Sequence, residues 1–204
     1  MQSSLDAALR VASRGSRVAA LAGGLLILAA AVLVSVDVIL RKFASITLGG
    51  ADELSGYALA IGSTWSFAFV LLNRGNVRVD ALYQLLPRKL AALCDMLAIA
   101  ALLGFVSVVT WHGGGVLAQS WQLGARSNSA LAVPLAVPQA LWWAGYAWFV
   151  ACAVVLLARG GLSFLAGDWP AVNRLLGARS IEEEAADELS HAVQSMDSAQ
   201  GRVP

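Results

Sequence analysis

The sequence predicts an all-α fold: an integral membrane bundle of four transmembrane helices, with a short cytoplasmic interfacial helix between helices 2 and 3. Three observations predict it. Of the 204 residues, 58% are hydrophobic and only 13% are charged, about half the charged share of an ordinary soluble domain. The mean hydropathy is +0.70, which suits a lipid solvent better than water. Four separate stretches are long and apolar enough to cross a hydrocarbon layer about 30 Å thick at about 1.5 Å of rise per residue.

The first span runs from about Val18 to Leu40, with Asp37 as its one charge. The second, about Leu54 to Leu72, carries none. The third, about Leu90 to Trp111, carries Asp95 alone, and the fourth, about Pro134 to Ala158, carries none. All four mix Gly, Ala and Ser with Leu and Val. Small residues let helix backbones approach closely in lipid, so these spans are expected to pack on protein as well as on lipid. Arg10, Arg14 and Arg17 precede the first span, as in a signal peptide. Its apolar run exceeds the 7–15 residues, roughly, of such a segment, and an uncleaved helix is expected.

Basic residues set the orientation. Arg10, Arg14 and Arg17 precede span one, Arg74, Arg78, Arg88 and Lys89 lie between spans two and three, and Arg159, Arg174, Arg179 and Arg202 follow span four. The other side holds Arg41, Lys42 and Arg126. Both termini are therefore expected in the cytoplasm. Residues 1–17 form a cytoplasmic segment, 18–159 the membrane domain, and 160–204 a cytoplasmic tail, acidic and partly disordered. Trp111, Trp121, Trp142 and Trp143 cluster toward the outer face, as interfacial anchors do. Trp65 and Trp148 fall near mid-span. An indole with an N–H donor fits hydrocarbon poorly, so these two are read as packed against protein, within the bundle or in a partner, with simple lipid contact as the alternative.

Between spans two and three, NVRVDALYQLLP (Asn76 to Pro87) places Val79, Leu82 and Leu86 at helical spacing. This is the expected interfacial helix, with an irregular loop as the alternative. Part of the connection from His112 to Val133, which contains a GGG run, is expected on the membrane surface. Gly160 to Ala178 is weakly amphipathic, and IEEEAADE (Ile181 to Glu188) is a charge run of the kind that is usually solvated.

Chemistry-bearing motifs are sparse. Cys94 and Cys152 have no neighbouring cysteine, which excludes a CxxC pair or a cysteine zinc site. His112 and His191 are the only histidines, too few near the membrane for haem held between helices. No nucleophilic triad, HExxH or phosphate loop occurs, and the separated basic clusters do not form a nucleic-acid-binding face. No cofactor and no enzymatic activity are expected. Asp37 and Arg41, four residues apart, share a helix face and are expected to pair; a role in ion handling is the alternative. Glu53, with Asp52, opens span two, where carboxylates suit the helix dipole, and Glu53 is also placed to pair with Arg41. Asp95, one turn past Arg88 and Lys89, is expected to meet them. A secondary transporter gathers polar groups at broken helices near mid-membrane. These spans show no such gathering, which points to a scaffold or accessory subunit whose chemistry sits on another chain. A membrane anchor for a redox or other enzyme is the competing reading.

Four motifs in order carry a family resemblance: DVILRKF (Asp37 to Phe43), ADELSGYAL (Ala51 to Leu59), NRGNVRVDAL (Asn73 to Leu82) followed by Leu86-Pro87, and SNSALAVPLAVPQALWW (Ser127 to Trp143). Over roughly Val18 to Arg159 the chain resembles the small, DctQ-like membrane subunit of tripartite ATP-independent periplasmic (TRAP) transporters. It departs from that pattern at Asn76, where the family often has His, and at Gly50-Ala51, where a Trp commonly precedes the acidic residue. The resemblance implies a bacterial inner-membrane location and a Na⁺-coupled importer of an organic acid. Its partners would be a large TRAP permease subunit and a periplasmic substrate-binding protein, with the small subunit bracing the large one in the bilayer. Asp37, Arg41, Glu53, Arg74, Arg78, Asp80, Trp65 and Trp148 are the candidate residues, assigned to assembly or loop structure; none is assigned to substrate.

Overall fold

The computed structural model describes residues 2–75 and 86–177, together with Leu189 and Val193. Its helices are α1 (Gln2–Ala44), α2 (Ala51–Leu72), α3 (Arg88–Gln122), α4 (Ala136–Leu165) and α5 (Trp169–Leu176). The first four are each long and apolar enough to cross a membrane, so the architecture is the expected four-helix membrane bundle. The interfacial helix expected over 76–87 lies outside the described residues except for Leu86 and Pro87, and the acidic run 181–188 lies outside them altogether. The short helix among the described residues is α5, after the fourth span.

Three helices run past the ends of their apolar stretches. α1 begins at Gln2, so its 43 residues reach about 65 Å, and the basic stretch before Val18 continues the helix. α4 extends to Leu165. α3 continues to Gln122, through Gly113, Gly114 and Gly115, although each glycine in a helix costs about 1 kcal/mol against alanine. The compensation is tertiary. A Cβ on Gly113 would sit 3.0 Å from the Trp142 ring, and one on Gly114 would sit 3.1 Å from Nε1 of Trp143. The bare backbone lets both indoles lie flush on α3, and Trp143 Nε1 donates to the Thr110 carbonyl at 2.9 Å.

α4 is the hub, in contact with α1, α2, α3 and α5. Its buried residues Gly145, Phe149, Cys152, Leu156, Gly160 and Ser163 recur at steps of three and four, one stripe of a helix. Each junction has a small residue at its closest point. Gly145 lies against Thr64 of α2, where an added Cβ would fall 2.5 Å from Oγ1, and Gly160 lies against Leu176 of α5 and Met96 of α3. Phe67 of α2 stacks at 6.0 Å on both Tyr146 and Phe149 of α4. α5 is N-capped by Asp168, whose carboxylate accepts from Ala171 N at 3.1 Å, and it buries Val172 and Leu176 one turn apart.

α1 packs chiefly on α2. At their crossing Gly23 and Gly62 meet backbone to backbone: a Cβ on either would lie 2.7 Å from the other's carbonyl oxygen. Along its apolar stretch much of α1 faces outward, and Val18, Leu21, Leu25 and Leu28 are all exposed.

Candidate functional site

The polar side chains of the bundle collect at its two ends. At the end carrying the α1–α2 and α3–α4 connections, Asp37 is only 2% exposed. Its Oδ2 accepts from Arg41 Nη2 at 2.5 Å, and its Oδ1 accepts from Leu48 N at 2.7 Å and Thr47 Oγ1 at 3.2 Å. The pair expected from the four-residue spacing is therefore present, and it does more than neutralise a charge. The carboxylate folds the six residues after α1 back onto the helix end, capping a backbone N–H that the turn would otherwise leave without a partner. Arg41 keeps 57% of its side chain exposed, so the buried anchor is the aspartate.

Glu53 takes different partners from the expected Arg41. Its carboxylate accepts from Tyr57 OH on its own helix and from Ser129 Oγ in the α3–α4 connection. Ser129 contacts Ser127 Oγ at 3.1 Å, and Ser127 Oγ accepts from Val133 N at 2.9 Å. A pairing of Arg126 with Pro134 and the bond from Arg126 Nη1 to the Ala132 carbonyl at 3.2 Å close this connection on itself. Gly50, at the start of α2, has φ 101°, and a Cβ there would strike Leu131 at 2.3 Å. Glycine suits that left-handed backbone, and its bare Cα lets the Leu131 side chain of the second connection lie over it. Together these contacts clasp the two connections into one unit. The serines were visible only as part of a small-residue stretch, because a partner 76 residues away leaves no periodic trace.

Trp65 and Trp148 both pack within the bundle. Trp65 Nε1 donates to the Leu141 carbonyl of α4 at 3.0 Å, and Trp148 Nε1 donates to Ser16 Oγ of α1 at 3.0 Å. Ser16 is fully buried, with its hydroxyl 3.9 Å from the Cys152 sulfur. Gly15 admits the Trp148 ring, which an added Cβ would meet at 3.3 Å. Ser16 and Gly15 could not be singled out from the sequence, since they lie before the first apolar stretch.

At the opposite end, Arg159 binds Asp6 at 2.7 Å and Ser163 Oγ at 2.6 Å, which pins the first turns of α1 to α4. Arg74 follows α2 with φ 55°. The bonds from Gly75 N to Val70 O and from Arg74 N to Leu71 O make a Schellman ending in which arginine takes the left-handed position usually given to glycine. Asp95 is buried in α3. Arg78 and Asp80 lie outside the described residues.

Within the spans the hydroxyls turn back on their own helices. Thr64 donates to Ala60 O or Ile61 O, Ser66 to Gly62 O, and Thr110 to Val106 O. Among the described residues no group of three or more His, Cys, Asp or Glu side chains converges as a metal site would.

Residues 30–161 match the family model described as tripartite ATP-independent periplasmic transporters, DctQ component. No curated protein and no solved structure matches the chain.

Proposed function

We propose, because this chain belongs to the DctQ component family of the tripartite ATP-independent periplasmic transporters, that it braces the large permease subunit of a Na⁺-coupled, binding-protein-dependent importer of an organic acid. The family makes it the small permease component of a tripartite ATP-independent periplasmic transporter. The bracing role, the ion coupling and the substrate class are our reading.

The observation that carries it is the disposition of polar groups in the spans. A solute or ion crossing hydrocarbon needs converging groups to replace its water, because a charge at the bilayer centre costs roughly 2.5–3.5 kcal/mol even on the mildest scales. Here the span hydroxyls of Thr64, Ser66 and Thr110 are bonded to their own helix carbonyls, and Asp37 and Glu53 are engaged at the loop end. The outward faces are apolar: Phe105, Val108 and Trp111 of α3 are exposed, as is most of α1. Such a bundle is suited to stand between lipid and a larger membrane protein. The clasp of the two connections keeps its loop end in one shape for that partner. Asp37, Arg41 and Glu53 hold the clasp, Trp65 and Trp148 hold the helix register, and Arg74, Arg78 and Asp80 belong to the connection between α2 and α3. The distribution of basic residues supports a cytoplasmic position for that connection and both termini, with the clasp facing the periplasm, the side on which a binding protein delivers its acid.

Affinity purification of the tagged chain from its own membranes tests the reading. The expected result is recovery of a large hydrophobic subunit, together with loss of organic-acid uptake when this chain is deleted. Uptake that persists at the normal rate without the chain would refute it.

A further inference from the structure

We propose that the cleft between the start of α1, the end of α2 and α5 binds a phosphate-bearing anion, of the kind carried by an acidic phospholipid headgroup. The cleft has a volume of about 400 Å³ and is lined by Arg10 and Arg14 of α1, Arg74 after α2 and Arg174 of α5. This size falls within the range of roughly 300–1,000 Å³ typical of small-molecule sites. Four arginines from three separate elements line it, although the basic clusters are apart in the sequence. Among the described residues the ion pairs are Arg41–Asp37 and Arg159–Asp6, so Arg10, Arg14 and Arg174 have no carboxylate partner there. Guanidinium matches phosphate oxygens with paired, fixed donors. Apart from Ser13, the remaining wall is apolar, with Leu72 at the end of α2 and Leu156 of α4, as the stem of an amphiphile requires.

The depth also fits. With Gly23 opposite Gly62 in antiparallel helices, Arg14 stands level with the last turn of α2, where a span leaves the hydrocarbon. Basic pockets between helices on the cytoplasmic side are where acidic lipids are held. The inference rests on the chain lying in a membrane with this end in the cytoplasm, and not on its transport role.

The test uses the full-length chain in neutral detergent, with unfolding temperature as readout and three probes: short-chain phosphatidylglycerol, short-chain phosphatidylcholine and inorganic phosphate. Phosphatidylglycerol should raise the unfolding temperature saturably, and phosphatidylcholine should not. The double variant Arg14→Gln/Arg174→Gln should need about tenfold more phosphatidylglycerol or higher for the same shift. Both side chains are exposed, so the unliganded unfolding temperature should barely move. Arg126→Gln, at the other end of the bundle, should respond as the unaltered chain does. If inorganic phosphate at millimolar concentration reproduces the shift, the natural source is free phosphate; if only the lipid does, it is the headgroup. Equal shifts in the unaltered chain and the double variant, equal shifts with both lipids, or no shift with either phosphatidylglycerol or inorganic phosphate would overturn the proposal.

Discussion

Gly23→Leu is expected to lower the unfolding temperature of the purified chain by on the order of 10 °C, while Gly24→Leu, one residue along, leaves it nearly unchanged. The two glycines share a helix and a sequence context, and they differ in what a side chain would meet. At Gly23 a Cβ would be 2.7 Å from the Gly62 carbonyl oxygen and 3.0 Å from its Cα; at Gly24 nothing lies within 4 Å. The obstruction at Gly23 is backbone and cannot swing aside, so the penalty belongs at or beyond the top of the roughly 1–3 kcal/mol usual for overpacking. The effect is large because the apolar stretch of α1 has little else to hold it. Only 6% of its most apolar window is buried in the bundle, and in lipid there is no hydrophobic gain from bringing two apolar helices together, so close packing must do the work. Gly62→Leu should behave as Gly23→Leu, since its Cβ would meet Gly23 O at 2.7 Å and Ile27 at 2.8 Å. Equal melting of the Gly23 and Gly24 variants would remove the crossing from the account.

Asp37→Ala is the second large effect, with an expected drop on the order of 5 °C and loss of assembly with the partner. The substitution removes at once the acceptor for Leu48 N, for Thr47 Oγ1 and for Arg41. Groups left without partners cost more than the bond itself contributed. Asp37→Asn keeps an oxygen for Leu48 and Thr47 and loses the ion pair, so it should fall between. Arg41→Ala should be milder than either, because an exposed partner in an ion pair contributes little, yet it should exceed Arg126→Ala, whose guanidinium bonds a loop carbonyl. Unfolding temperature and recovery of the large subunit, measured on all four variants, give the ranking. Asp37→Ala and Arg126→Ala with the same small effect would contradict the clasp.

The contrast between these two sites shows what the sequence carries. Contacts within a helix turn were legible: Asp37 and Arg41 are four apart, and the pairing followed from helix geometry alone. The four spans were legible because length and hydropathy are local quantities. Contacts between elements were not. Nothing local says that Glu53 will meet Ser129 and not Arg41, or that Trp148 will reach back to Ser16. The reach of α3 beyond Trp111 was hidden for the same reason. A GGG run reads as a break by propensity, and it is the packing of Trp142 and Trp143 on Gly113 and Gly114 that makes bare backbone useful there. In α1 the basic stretch before Val18 interrupts the apolar run without interrupting the helix, since Ala12 and Ser16 are buried one turn apart and Asp6 is held by Arg159.

Under the proposed function this bundle conducts nothing by itself and serves a larger membrane subunit. Vesicles reconstituted with the purified chain as the sole protein, supplied with a Na⁺ gradient and labelled organic acid, test it most directly. No accumulation above protein-free vesicles is expected, and accumulation should appear once the large subunit and the binding protein are added. Accumulation by the chain alone would contradict it.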